Sequence, residues 1–303
     1  MKLNKFSDLV GENLHRYLSE NGKDLPDGES EFEYGKYQTI CETYQIKTQE
    51  TSRALNLAIG SYSLITLPNI VNVLEKQLKY YKDYFANYLR NFFVNNPKNV
   101  LVVGLGNRHI SADSLGAKVC GKVVVTRHLN ESGVKVSAIV PSVLGLTGIE
   151  SSDIVSAVCS KIKPDYVVVI DSLCASSVDR LGSSFQINNC PIIPGGGVGN
   201  GRKQISGFGA KLITIGVPLV VYGSTFVTSA LGEVGISKHG LIKAKKSLTH
   251  SSDNKCILEL IDRVMELREV NGDLIVTCKD IEVLTEKCAD IIAYALNKIL
   301  LGL

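Results

Sequence analysis

The sequence predicts an α/β fold: a mostly parallel or mixed central sheet with helices on both faces. Three observations carry this. Short, nearly continuous apolar runs stand at 99–104, 166–170 and 212–217. Such runs belong to strands buried on both faces, the kind that helical crossovers connect. Stretches with helical periodicity alternate with them and follow them. Finally, 303 residues at 45% hydrophobic and 21% charged supply a large core of ordinary globular composition.

Taken in order, Phe6, Leu9, Val10, Leu14 and Leu18 recur at helical spacing and predict a short amphipathic helix. Gly22 to Gly35 is rich in Gly, Asp, Glu and Ser and reads as a loop. Residues 1–40 are therefore expected to form an N-terminal arm. Residues 41–303 form a single α/β domain with its functional core at about 98–235. Leu64–Leu67 is a candidate strand, and a long helix is expected after Pro68, reaching about Phe93. Then come strand 99–104, a helix from about 113 to 122, a β segment over Val134–Val140, and a helix over 149–162. Strand 166–170, a short strand at Ser184–Ile187 and a longer one at Leu212–Val217 follow. Residues 254–269 and 279–301 read as helices; in the last, Ile281, Leu284, Cys288, Ile291, Ile292, Leu296 and Ile299 form one apolar stripe.

The bulk numbers exclude several classes of function. A net charge of +3 is too small for a nucleic-acid footprint, and Lys243-Ala244-Lys245-Lys246, the one tight basic cluster, reads as a solvated face. No run approaches the ~20 apolar residues of a membrane span. The eight cysteines form no C-x-x-C and no zinc spacing with His, and several lie in apolar patterns as small hydrophobes. These features predict a reduced, cytoplasmic protein.

Chemistry is expected where strands end, because ligands gather outside the carboxyl ends of strands in open α/β sheets. Two aspartates stand there. Asp113 follows the run Val100–Asn107, and Asp171 follows Tyr166–Ile170. Asp113, just before Ser114-Leu115-Gly116, is either a helix N-cap or a functional carboxylate. Asp171, directly after five apolar residues, needs donors, a partner or water, or its pKa rises. Gly104-Leu105-Gly106-Asn107 resembles a dinucleotide turn but carries His109 where the third glycine belongs. It reads as a tight turn past which a substrate main chain can run. Pro194 to Arg202 holds Gly195, Gly196, Gly197, Gly199 and Gly201 with Asn200. It is either a surface loop or a cradle of amides beside Arg202 suited to an anion or oxyanion. His128, after Val123-Val124-Val125, is a structural hydrogen-bonder or an acid, base or ligand, and His109 is its rival. No G-x-S-x-G elbow occurs.

These residues, in this order, resemble the germination (spore) protease family. The likeness runs through Val103–Asn107 and Asp113–Gly116, Val125–Leu129, Leu144–Glu150, Lys163–Asp165 into Ile170–Leu173, and Phe185–Ile187. It continues through Pro194–Asn200, Ile215–Pro218 and Asp273–Thr277, covering about 98–222 and 273–300. The resemblance implies a fold related to the hydrogenase-maturation peptidases. It implies an endopeptidase acting on small acid-soluble spore proteins, in the cytoplasm or spore core. It implies a proposed catalytic pair at Asp113 and Asp171; beside it, the residues themselves offer Asn107, His128, Gly195, Gly196, Gly197, Asn200 and Arg202 as supporting or substrate-binding candidates. It also implies no cofactor or metal, a homotetramer, and a zymogen that loses an N-terminal, pro-like segment. In the hydrogenase-maturation relatives the similar places are metal ligands. The sequence departs from the family pattern at Ser176, where an Arg is usual, and at Ile193-Pro194-Gly195, where His-Pro-Gly is usual. The stretch 222–273 is shorter than in typical members, and the processing site is not evident. Two alternatives stay open. One is a metal-dependent peptidase using both aspartates with His109 or His128. The other is a protein that kept the fold and only binds.

Overall fold

The computed structural model describes residues 7–21, 29–129, 133–195, 202–223, 225 and 274–303. The expected helix over 254–269 lies outside them, as do Gly196, Gly197 and Asn200. One mixed sheet organises the described chain. Strands β1 (Glu29–Tyr34), β2 (Ile40–Ile46) and β3 (Gly60–Thr66) form an antiparallel meander. β4 (Asn99–Gly104), β5 (Lys135–Ile139), β6 (Tyr166–Ala175) and β8 (Lys211–Tyr222) pair in parallel in the order β5-β4-β6-β8. β7 (Ser184–Asn188) joins the two halves, antiparallel to both β3 and β8, and β9 (Ile275–Val276) pairs with the end of β8.

Helices cover both faces. α3 (Glu75–Arg90), α4 (Leu115–Lys122) and α7 (Ile281–Leu301) pack on one, over Val100, Val102, Val168, Ile170, Ile213 and Ile215. On the other face there are two separate cores. α1 (Val10–Asn21) and α2 (Gln49–Leu55) cover Tyr62, Leu64, Leu173 and Val221. α6 (Ser151–Ile162), preceded by the short α5 (Leu144–Thr147), covers Leu101, Val103, Val167 and Val169. Side chains alternate across a strand, so Val167, Val169, Asp171 and Leu173 of β6 share this second face. Asp171 falls in the gap between its two cores.

Two readings of the sequence are corrected here. Residues 29–34, expected in a loop, form the edge strand β1. Its acidic sequence Glu-Ser-Glu-Phe-Glu-Tyr is tolerated because an edge strand faces water, and charge there discourages edge-to-edge pairing. The strand expected to end at Ile170 runs on to Ala175, so Asp171 lies within it rather than after it. The register between β6 and β8 shifts at Leu173/Cys174. A bulge of this kind bends a strand and re-aims its side chains beside a site.

Candidate active site

A cleft of about 830 Å³ opens on the second face, between the α1–α2 and α6 cores. Asp113 and Asp171 both line it, with Gly106, Asn107, Gly195 and Arg202. The structure thus brings together six of the residues singled out in the sequence. His128 is not among the residues lining the cleft. It is exposed on a 3-10 turn, Arg127–Leu129, and the neighbouring Arg127 bonds Asn99 at the opposite, amino end of β4. His109 is likewise exposed, its backbone N–H donating to Asn107 Oδ1 at 3.0 Å.

Asp113 reaches the cleft by a reversal of the chain. After β4, Gly106 takes φ +93°, a conformation that side chains rarely adopt, and a 3-10 turn over Ser111–Asp113 leads back. The Asp113 carboxylate does not cap α4. Ser114 stands at that cap, and Asp113 Oδ2 instead accepts from Asn107 N at 2.7 Å. A Cβ on Gly106 would fall 2.1 Å from the Asp113 carbonyl oxygen, so the turn and the carboxylate are built against each other.

Asp171 is buried at 5% exposure, and its Oδ1 accepts from Ser172 N at 3.0 Å. Opposite it on β8 stands Gly216, which also lines the cleft. Burial pushes the Asp171 carboxyl well above the usual carboxylate range, and the charges of Asp113 and Asp8 push it further. Asp113 is raised as well, by burial, with the Asn107 N–H opposing. One carboxyl therefore strongly holds a proton while its neighbour ionises more easily, the arrangement that lets two carboxylates divide acid and base roles.

Asp8 was missed by sequence reasoning. It lies before α1, in the cleft wall, and its carboxyl is pushed up to about 6, chiefly by burial. Locally Ser7-Asp8 reads as a helix start and nothing more. Its partner, Cys174, is 166 residues away, and no local pattern signals such a contact.

A family model described as germination protease matches residues 35–240. The germination protease of Clostridium tetani is 32% identical over 96% of this chain and 94% of its own length. The chain belongs to the germination protease family. Members from Clostridium acetobutylicum (35% identity, 78% of this chain, 77% of the relative) and Priestia megaterium (32%, 82% and 80%) agree. Among solved structures, a [NiFe] hydrogenase maturation protease from Thermococcus kodakarensis aligns with 15% identity and a TM-score of 0.36, over 69% of this chain and 99% of that one. Membership makes this chain a peptidase of a germination protease type. No helix among the described residues is long and apolar enough to cross a membrane.

Proposed function

We propose that this germination protease family member is an endopeptidase that hydrolyses small acid-soluble spore proteins through water activated by Asp113 and Asp171. The observation that carries the reading is the convergence of these two carboxyls in one cleft with unequal proton affinities. Asp171 is the proton-bearing member and Asp113 the ionised one, although a coupled pair titrates as a unit.

The chemistry follows. Asp113 takes a proton from a water molecule as its oxygen bonds the scissile carbonyl carbon. Asp171 gives its proton to the carbonyl oxygen, leaving a neutral tetrahedral intermediate. When the C–N bond breaks, the proton held by Asp113 goes to the leaving nitrogen, and the hydroxyl proton returns to Asp171. Both carboxyls end as they began. Arg202, with the amide of Gly195, flanks the cleft where an acidic side chain of the substrate is held. Gly196, Gly197 and Asn200 remain part of this proposal from the sequence alone.

The metal-dependent route read from the sequence takes its nitrogen ligand from His109 or His128. His109 and His128 are both outside the cleft lining, and among the described residues no three His, Cys, Asp or Glu side chains are grouped to hold a metal ion. The donor set therefore favours the two-carboxylate route. The test is digestion of a small acid-soluble spore protein by the purified chain, with and without chelator, beside Asp171→Asn, with fragments read by mass spectrometry. Cleavage that survives chelator and vanishes in Asp171→Asn supports the reading. Full activity in Asp171→Asn, or loss in chelator reversed by a divalent ion, overturns it.

A further inference from the structure

The cleft floor carries a long amide that the mechanism above does not use. Every residue of β7 is buried, Gln186 among them, and a buried amide is costly unless both its polar ends are bonded. The partners of Gln186 are main chain. Its Nε2 donates to Asp8 O at 2.9 Å, and its Oε1 accepts from Val10 N at 2.8 Å. A primary amide sets donors beside an acceptor. It therefore matches one C=O and the N–H two residues on in any extended peptide, whatever the side chains. The same stretch of chain also reaches β6, where Asp8 N donates to Cys174 O at 3.1 Å. A main chain thus already crosses this floor, held at β7 on one side and at β6 on the other. Beneath it, β8 lies between β6 and β7, and Gly216 pairs with Asp171 on one side and Gln186 on the other. Paired residues of neighbouring strands share a face. Asp171 and Gln186 accordingly both face the cleft, across a residue with no side chain. Two strand spacings part their backbones by about 10 Å, the length of about three extended residues.

We propose that Gln186 is a substrate-binding residue that clamps the main chain of the protein substrate, through paired hydrogen bonds to one C=O and one N–H, and lays it over Gly216 toward Asp171. The proposal deepens the peptidase reading above and rests on it for turnover, though not for binding. A peptide held in this way brings a bond within about three residues of the clamp to Asp171. One amide holds one main chain at a time, so substrate takes the place of residues 8–10 at Gln186. The clamp also defines the class of substrate. Main-chain groups inside a helix or a paired strand are already bonded to each other. Only an extended, unpaired stretch of protein can offer both groups to Gln186. Sequence preference is then left to the walls of the cleft, since the clamp reads no side chain.

The test separates binding from turnover. A fluorescein-labelled peptide from a small acid-soluble spore protein is titrated into the full Asp171→Asn chain and followed by anisotropy. The same titration is run with Gln186→Met added, which keeps the length of the side chain and removes both hydrogen bonds. The expected result is a Kd raised about tenfold or more by Gln186→Met, with kcat/KM lowered by a similar factor where Asp171 is retained. A Gln186 that only ties down residues 8–10 gives the opposite. Loosening them opens the cleft, and Kd and kcat/KM stay level or improve. A second arm leaves the protein unchanged and replaces each peptide N–H in turn by an ester oxygen. At one position the ester weakens binding to the Asp171→Asn chain about tenfold and has little effect once Gln186→Met is present. Equal binding of every ester peptide overturns the proposal, even if the Gln186 variant does not fold. So does an Asp171→Asn chain that binds no peptide at all. A chain that binds through Gln186 but, with Asp171 in place, cleaves nothing would sink the peptidase reading and leave the clamp standing.

Discussion

One added methyl group tests how tightly the turn after β4 aims Asp113. Gly106 sits at φ +93°, and a Cβ there would lie 2.1 Å from the Asp113 carbonyl oxygen and 2.6 Å from its Oδ1. Real Cβ atoms essentially never approach heavy atoms closer than 3.0 Å, so in Gly106→Ala the backbone of Asp113 retreats by about 1 Å. The Asn107 N–H bond to Asp113 Oδ2, now 2.7 Å, stretches or breaks. Backbone strain costs about 1–2 kcal/mol, and overpacking against backbone adds about 1–3 kcal/mol. A reacting group misplaced by about 1 Å loses about 100-fold in rate. The expected result is a drop of about 100-fold in kcat/KM on a spore protein substrate and a loss of about 2–5 kcal/mol in urea unfolding. Gly121→Ala is the matched control. Gly121 lies in α4, a Cβ there meets nothing within 4 Å, and it should gain about 0.5–1 kcal/mol with activity intact. Gly106→Ala within about threefold of the parent kcat/KM would refute the claim that this turn sets the Asp113 geometry.

The remaining predictions bear on charge. Asp171→Asn loses about 10²–10⁴-fold in activity yet is more stable than the parent at neutral pH. The folded-state carboxyl is raised, so the parent gives up stability as pH climbs above the ordinary value of 3.8; equal or lower stability of the variant at pH 7.5 in chemical unfolding would contradict the burial argument. For Asp8, raised from 3.8 to about 6, the stability lost across that window is on the order of 3 kcal/mol. Asp8→Asn should therefore match the parent near pH 3.5 and exceed it by up to that amount at pH 7.5, and identical pH profiles in urea unfolding would argue against it. Arg202→Ala is expected to raise KM about 10- to 150-fold with kcat little changed, as loss of a charge-assisted contact worth about 1.5–3 kcal/mol predicts; steady-state kinetics showing a fall in kcat alone would remove Arg202 from substrate binding.

The elements that were legible in the sequence are those whose local pattern matches their burial. β4, β6 and β8 are apolar almost throughout because both their faces are covered, and α7 carries its stripe because one side packs on the sheet. That Asp113 and Asp171 line one cleft was legible from their places after the adjacent apolar runs of β4 and β6. Three things were not. The edge strand β1 carries acids where water touches it and so looks like a loop. The extension of β6 past Asp171 is stabilised by pairing with β8 through Ala175, a long-range effect. Asp8 joins the site through Cys174 and Gln186, contacts that exist only once the fold has closed.

The position of Asp171 explains why the cleft is where it is. A carboxylate in the middle of a core strand is costly, and on β6 every neighbour of the same face up to Val169 is fully buried. At 171 the cores of α6 and of α1–α2 fail to meet, and the partner residue on β8 is a glycine. A side chain at 216 would clash with Leu173, whose Cδ1 lies 2.4 Å from where a Cβ would stand. The register shift one step later then turns Val221 back into the α1–α2 core. Gap, glycine and shift together leave one carboxyl buried yet open to the cleft. That combination raises its proton affinity without sealing it from substrate. Filling Gly216 with alanine should therefore displace Leu173, shrink the cleft beside Asp171 and lower activity without altering the charge of any group; an active Gly216→Ala chain of parental stability would show that the opening is set elsewhere.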